Sequence, residues 1–128
     1  MSRTVIATPQ APSAIGPYSQ AVRTDRTVYL SGQIALDPAS GQMVEVGLEP
    51  QVRRAFADLD AEAGASGGTL ADCVKLTLFV TDLANFPAVN SIMQELFTQP
   101  YPARSTIGVS SLPRGALFEV EAIMVLPG

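Results

Sequence analysis

Residues 116–126 read Ala-Leu-Phe-Glu-Val-Glu-Ala-Ile-Met-Val-Leu. In a strand, successive side chains point to opposite faces. One face then carries Phe118, Val120, Ala122, Met124 and Leu126, and the other Leu117, Glu119, Glu121, Ile123 and Val125. Both are apolar enough to need cover, so whatever fold this chain adopts must pack something on each side of this strand.

The remaining segments supply one cover. Val52, Ala55, Phe56, Leu59 and Ala63 fall at i, i+3, i+4, i+7 and i+11, which predicts a helix over 49–63. Asp58, Asp60 and Glu62 lie off that stripe, and Gly64 and Gly67-Gly68 end it. A second helix is expected over about 85–97, with Phe86, Val89, Met93, Leu96 and Phe97 near one face, Asp82 or Asn85 as cap and Pro87 in the first turn. Residues 27–36 read as a strand in which Gly32 marks a bulge or a close backbone approach. Residues 73–81 alternate, with Val74, Leu76, Leu78 and Val80 on one face, and 104–110 make a short strand. Residues 8–17, with three prolines, read as an irregular loop, and 37–41 as a turn. The order strands, helix, strand, helix, strands argues for an α+β layer with both helices on one face of a sheet. A neighbouring subunit is the simplest cover for the other face.

Composition narrows the chemistry. With 128 residues, the expectation is one domain spanning 1–128. The 47% hydrophobic content and mean hydropathy of +0.24 are high for an isolated small domain, which fits apolar surface buried between subunits. Net charge is −4, Lys75 is the only lysine, and of the seven arginines only Arg53 and Arg54 adjoin. Without a basic stripe, nucleic acid and anionic membranes are unfavoured partners. Cys73 stands alone and histidine is absent. This removes intramolecular disulfides, His-based triads and the usual zinc sites, and no metal site is expected. No secretory h-region or membrane-length apolar run is seen, so the expected location is cytoplasmic.

Four segments remain for chemistry: Ile15-Gly16-Pro17-Tyr18-Ser19-Gln20-Ala21, Leu30-Ser31-Gly32-Gln33, Pro102-Ala103-Arg104-Ser105-Thr106 and Phe118-Glu119-Val120-Glu121-Ala122. Arg104 and Arg114 are the only charges between Tyr101 and Phe118. A guanidinium in apolar surroundings wants an anion and offers a planar fork matched to a carboxylate. That anion could be a ligand, or Glu119 or Glu121 in a structural ion pair. The two glutamates share a strand face, and mutual repulsion disfavours ionisation of one of them, which suits a proton shuttle. For Glu121 a wet rim is the preferred reading. The Tyr18 phenol could orient water or plug a core edge, Ser31-Gly32 could present backbone N–H groups, and Asn90 could cap or bridge. Cys73 reads as a small buried residue.

Taken in order, Gly16-Pro17-Tyr18, Ser31-Gly32-Gln33, Val80-Thr81-Asp82-Leu83, Val89-Asn90, Pro102-Ala103-Arg104-Ser105 and Glu119-Val120-Glu121-Ala122 resemble the RidA/YjgF family of enamine/imine deaminases. The resemblance spans Ile15 to Val125. It implies a chorismate-mutase-like fold: a mixed six-stranded sheet with two helices on one face, assembled as a homotrimer around a central barrel, with ligand clefts between subunits. Carried over by position, Tyr18, Ser31, Gly32, Asn90, Arg104, Thr106 and Glu119 would line the cleft. Thr106 stands where familiar members have cysteine. The implied enzyme is a 2-iminobutanoate/2-iminopropanoate deaminase-type hydrolase that converts 2-aminoacrylate-type enamines and 2-imino acids to 2-keto acids and ammonia. Arg104, Glu119 and Tyr18 would be catalytic, and Ser31, Gly32, Asn90 and Thr106 substrate-binding. No cofactor is expected, since an iminium is already electrophilic. The alternatives are an endoribonuclease or translation inhibitor, a non-catalytic binder of small carboxylates, and a deaminase for a pathway-specific substrate.

Overall fold

A computed structural model describes residues 2–44 and 47–128. Six strands, β1 (Thr4–Ile6), β2 (Ala21–Thr24), β3 (Thr27–Gln33), β4 (Cys73–Val80), β5 (Ala103–Gly108) and β6 (Phe118–Val125), form one open sheet in the order β1-β2-β3-β6-β4-β5. Only β4 and β5 run parallel. A parallel pair needs a crossover, and helix α2 (Phe86–Leu96) provides it. Helix α1 (Leu48–Ala65) joins β3 to β4. The two-faced strand β6 lies inside the sheet between β3 and β4.

Sequence periodicity explains the packing. Val52, Ala55, Phe56, Leu59 and Ala63 of α1 are all buried against Phe118, Val120, Ala122 and Met124 of β6 and against Val28 and Leu30 of β3. The Phe56 ring meets Phe97 edge-on and Phe118 tilted, each at 5.7 Å between centroids. Cutting such a side chain to alanine costs about 3–5 kcal/mol. Helix α1 stops where Gly67 turns to φ +100° and the Gly68 amide donates to the Ala63 carbonyl at 2.9 Å, a positive φ that glycine tolerates.

Several boundaries and contacts differ from expectation. The first long strand ends at Gln33, and two short strands, β1 and β2, extend the sheet on that side. A register shift between Cys73 and Lys75 turns Val74 outward, 47% exposed, and Cys73 joins the core in its place. Burial pushes the Cys73 thiol up to about 12, in keeping with an inert core residue. Asp82 caps the short 3-10 turn at Leu83–Asn85 through the Ala84 amide, while Asn85, at the start of α2, makes no side-chain cap. The largest departure is on α1. Asp58 and Glu62, expected outside the apolar stripe, are both 0% exposed.

The opposite sheet face is different. Tyr29 is 51% and Ile107 44% exposed, and Ile123 and Val125 are only half-buried. No helix of the described residues is long and apolar enough to cross a membrane.

Candidate functional site

Arg104 pairs in register with Leu76, whose side chain is buried under the helices. Arg104 therefore points to the helix side of the sheet, at the β5 edge. There its Nη1 donates to Asn90 Oδ1 of α2 at 2.8 Å and lies 3.5 Å from Met93 Sδ. The guanidinium carbon sits 5.0 Å from the Phe86 ring centroid, a cation–π contact worth about 0.5–1 kcal/mol at an exposed position. Among the described residues it has no carboxylate partner. Beside it is a cavity of about 420 Å³ lined by Asn90, Met93, Gln94, Tyr101, Pro102 and Arg104. The structural ion pair with Glu119 or Glu121 is thus absent, and the fork is left free to meet an anion. Thr106 follows two residues on, and its Oγ1 is buried with no hydrogen-bond partner among the described residues.

Glu119 lies elsewhere. Its neighbours Phe118 and Val120 fill the core, so its own side chain points to the opposite face. The carboxyl rests on Gly32, so closely that a Cβ built there would collide with Glu119 Oε2 and come within 3.2 Å of Cδ. A larger residue here would have to displace the Glu119 carboxyl. Leu30 pairs with Ala122 and Gln33 with Val120, so Ser31 and Gly32 together oppose Glu121. This is a β-bulge, and it makes room for the carboxyl. Burial first, and then the charge of Glu121, raise the Glu119 carboxyl above its ordinary value. Glu121 itself is exposed. Glu119, Gly32, Ser31 and Tyr18 line a second cavity of about 430 Å³. The Ser31 hydroxyl donates to the Ser19 carbonyl and the Ser31 amide to the Gln20 carbonyl, pinning the loop that carries Tyr18. Tyr18, 52% exposed, stands at this cavity's mouth.

The expected site residues therefore form two groups. Arg104 and Asn90 line one cavity; Tyr18, Ser31, Gly32 and Glu119 line another, and the two share no residue. Arg104 and Glu119 lie two strands and three register positions apart on opposite faces, roughly 14 Å along the sheet. No small molecule touches both within one chain.

Residues 8–126 match the family model described as Endoribonuclease L-PSP. The 2-iminobutanoate/2-iminopropanoate deaminase of Dermatophagoides farinae is 45% identical over 122 residues, 95% of each chain. This chain belongs to the RidA/YjgF family. The crystal structure of RidA from the Antarctic bacterium Psychrobacter is similar with a TM-score of 0.93 and 39% identity, covering 96% of this chain and 99% of that one. The structure of Escherichia coli TdcF with bound serine has a TM-score of 0.91 and 35% identity, covering 97% and 99%.

Within this RidA/YjgF chain, the motif residues are held by side chains that a motif does not reveal. Gln20 accepts from the Thr8 amide and donates to the Thr8, Ala11 and Pro12 carbonyls, folding the proline-rich loop over the Glu119 cavity. Arg114, held by its Nη1 on the Gly41 carbonyl at 2.6 Å, lines the same cavity. Phe86 and Met93 frame Arg104 from α2. Gln20 and Gln33 both lie inside the segments singled out from sequence. A buried glutamine has no pattern of its own until its partners are known.

Proposed function

We propose that this chain hydrolyses 2-aminoacrylate-type enamines and 2-imino acids to 2-keto acids and ammonia, in sites shared between copies of itself in a homotrimer. The observation that carries the reading is Arg104: a guanidinium without a carboxylate partner among the described residues, aimed by Asn90 and Phe86, beside a cavity sized for a small acid. The names of the deaminase relatives support the substrate class, and the serine held by TdcF has the same α-carboxylate.

In this reading Arg104 grips the substrate carboxylate bidentately, and Asn90 keeps the fork in plane. Water adds to the protonated imine carbon; the carbinolamine then collapses, releasing ammonia and leaving the 2-keto acid. Glu119 of a neighbouring copy orders that water and takes its proton, a role worth on the order of 10²–10⁴ in rate. Its raised pKa suits it to return the proton to the departing nitrogen. Tyr18, Ser31 and Gly32 hold water or substrate from the Glu119 side, and Thr106 from the Arg104 side. Holding the carbon and the water together contributes several kcal/mol to lowering the barrier.

The test is an ammonia-release assay with 2-imino acids made in place by an amino-acid oxidase. Arg104→Ala is expected to abolish hydrolysis while circular dichroism and oligomeric state stay unchanged. Full activity in that variant would overturn the assignment. Arg104→Lys is expected to lose at least about tenfold, because a point charge cannot replace the fork. Binding of imino or keto acids without ammonia release would favour a carboxylate-binding protein. RNA cleavage draws its support from the family description and from similar structures named as endoribonucleases, and the net charge of −4 opposes it.

A further inference from the structure

Gln33 is the first residue after the Ser31–Gly32 bulge, and that bulge decides where its side chain goes. Leu30 and Gln33 are three residues apart, yet they pair with Ala122 and Val120, which share the core face. An unbroken strand would have sent Gln33 to the opposite side. Instead it is buried beneath α1, where its Nε2 donates to Glu62 Oε2. Gln33 also lines the cavity that holds Glu119, Gly32 and Tyr18. The Glu62–Gln33 contact is thus a fastening between the helix and the bulge on which Glu119 rests.

We infer that Gln33 and Glu62 are a positioning pair, which holds the bulge against Glu119 and so sets where that carboxyl meets substrate. The inference rests on the deaminase reading for its catalytic consequence and adds two residues to it. Glu62 does this from a site that favours its neutral form. It is fully buried, and its Oε1 has no partner among the described residues. The charges near it are few. Asp58 stands one turn earlier on α1, Arg54 pairs with Asp58 at 2.9 Å, and Asp37, in the turn beyond β3, acts on Asp58. The buried faces of β6 and α2 carry no charge. Burial, then Asp58, push the Glu62 carboxyl up to about 9. Its ionisation at higher pH would put a bare charge under the bulge and disturb it.

The experiment compares wild type, Glu62→Gln, Glu62→Leu and Gln33→Leu by kcat and KM from pH 6 to 10, alongside the Glu119 titration followed by carboxyl ¹³C NMR. Leucine removes the hydrogen bond while keeping a buried apolar volume. Both leucine variants are expected to fold and to lose about tenfold or more in kcat with little change in KM, since Arg104 grips the substrate from another surface. Their Glu119 titration should move away from that of wild type. The double leucine variant should lose no more than either single one. Glu62→Gln should keep kcat near neutral pH and lose the decline expected of wild type as pH rises through about 9. Folded leucine variants with wild-type kcat and an unmoved Glu119 titration would overturn the pairing, as would an alkaline decline unchanged in Glu62→Gln. A Glu119 titration that moves while even wild type releases no ammonia would instead retain the positioning pair and overturn the deaminase reading.

Discussion

At the scale of single residues, Gly32 and the two glutamates of β6 matter most. A methyl group on Gly32 has no place to go except into the Glu119 carboxyl. Gly32→Ala is therefore expected to displace that carboxyl and lower kcat/KM on the order of 10²-fold, with the cooperative melt preserved; a wild-type rate would show that the close approach has no function. The second residue-scale expectation concerns pH. Glu119 must be ionised to take a proton from water, so activity rises with pH through a value above the ordinary carboxylate range. Glu121 contributes to that upward shift by repulsion. Glu121→Gln should consequently move the acidic limb of kcat/KM to lower pH. An unmoved limb would separate it from Glu119. The repulsion between these acids was legible in their spacing. The burial of Glu119, which is the larger cause of its shift, was not, because it depends on β3 and the loop before it.

At the scale of elements, both helices and the four longer strands were legible, the helices, β4 and β6 through their apolar periodicities. Strands β1 and β2 were missed. At three and four residues they are too short to show alternation, and their pairing with β3 supplies what local pattern lacks. Helix α1 carries a second lesson. Its apolar stripe was read correctly, but Gln51, Asp58 and Glu62 are buried on an adjoining stripe. Gln51 Oε1 accepts from the Leu117 amide, Asp58 meets Arg54, and Glu62 meets Gln33. Polar residues entered the interior there because each found a partner. The arrangement makes stability depend on pH in a definite direction. Glu62 holds its proton to about 9 in the fold against an ordinary value of 4.5, so between those values the native state binds the extra proton. Stability must then fall as pH rises through that window. Glu62→Gln should flatten the fall, and denaturant midpoints measured from pH 5 to 9.5 check it. A parallel wild-type and variant profile would mean that Glu62 is ionised throughout.

For the whole molecule, the decisive fact is that Arg104 and Glu119 occupy opposite faces of one sheet. If a neighbouring copy brings them together, two defective chains can repair each other. Refolding Arg104→Ala with Glu119→Gln in equal amounts should restore about a quarter of wild-type sites in a cyclic assembly, although each variant alone is inactive. No recovery from properly mixed oligomers would overturn a site that uses both groups. The exposed Tyr29 and Ile107, with half-buried Ile123 and Val125, mark the sheet face available for such contact. The two-faced character of β6, visible in its sequence, is what puts Ile123 and Val125 on this face.

Sequence alone determined the layer of two helices on a sheet, the identity of the candidate side chains and the reaction classes that a chain without histidine can run. Those properties follow from local periodicity, composition and residue chemistry. Tertiary structure decided that the candidates divide between two cavities, that a bulge reverses the side on which Gln33 lies, and that Glu62 is buried. Each depends on register across strands distant in the chain, where a shift of one residue exchanges the faces of a sheet.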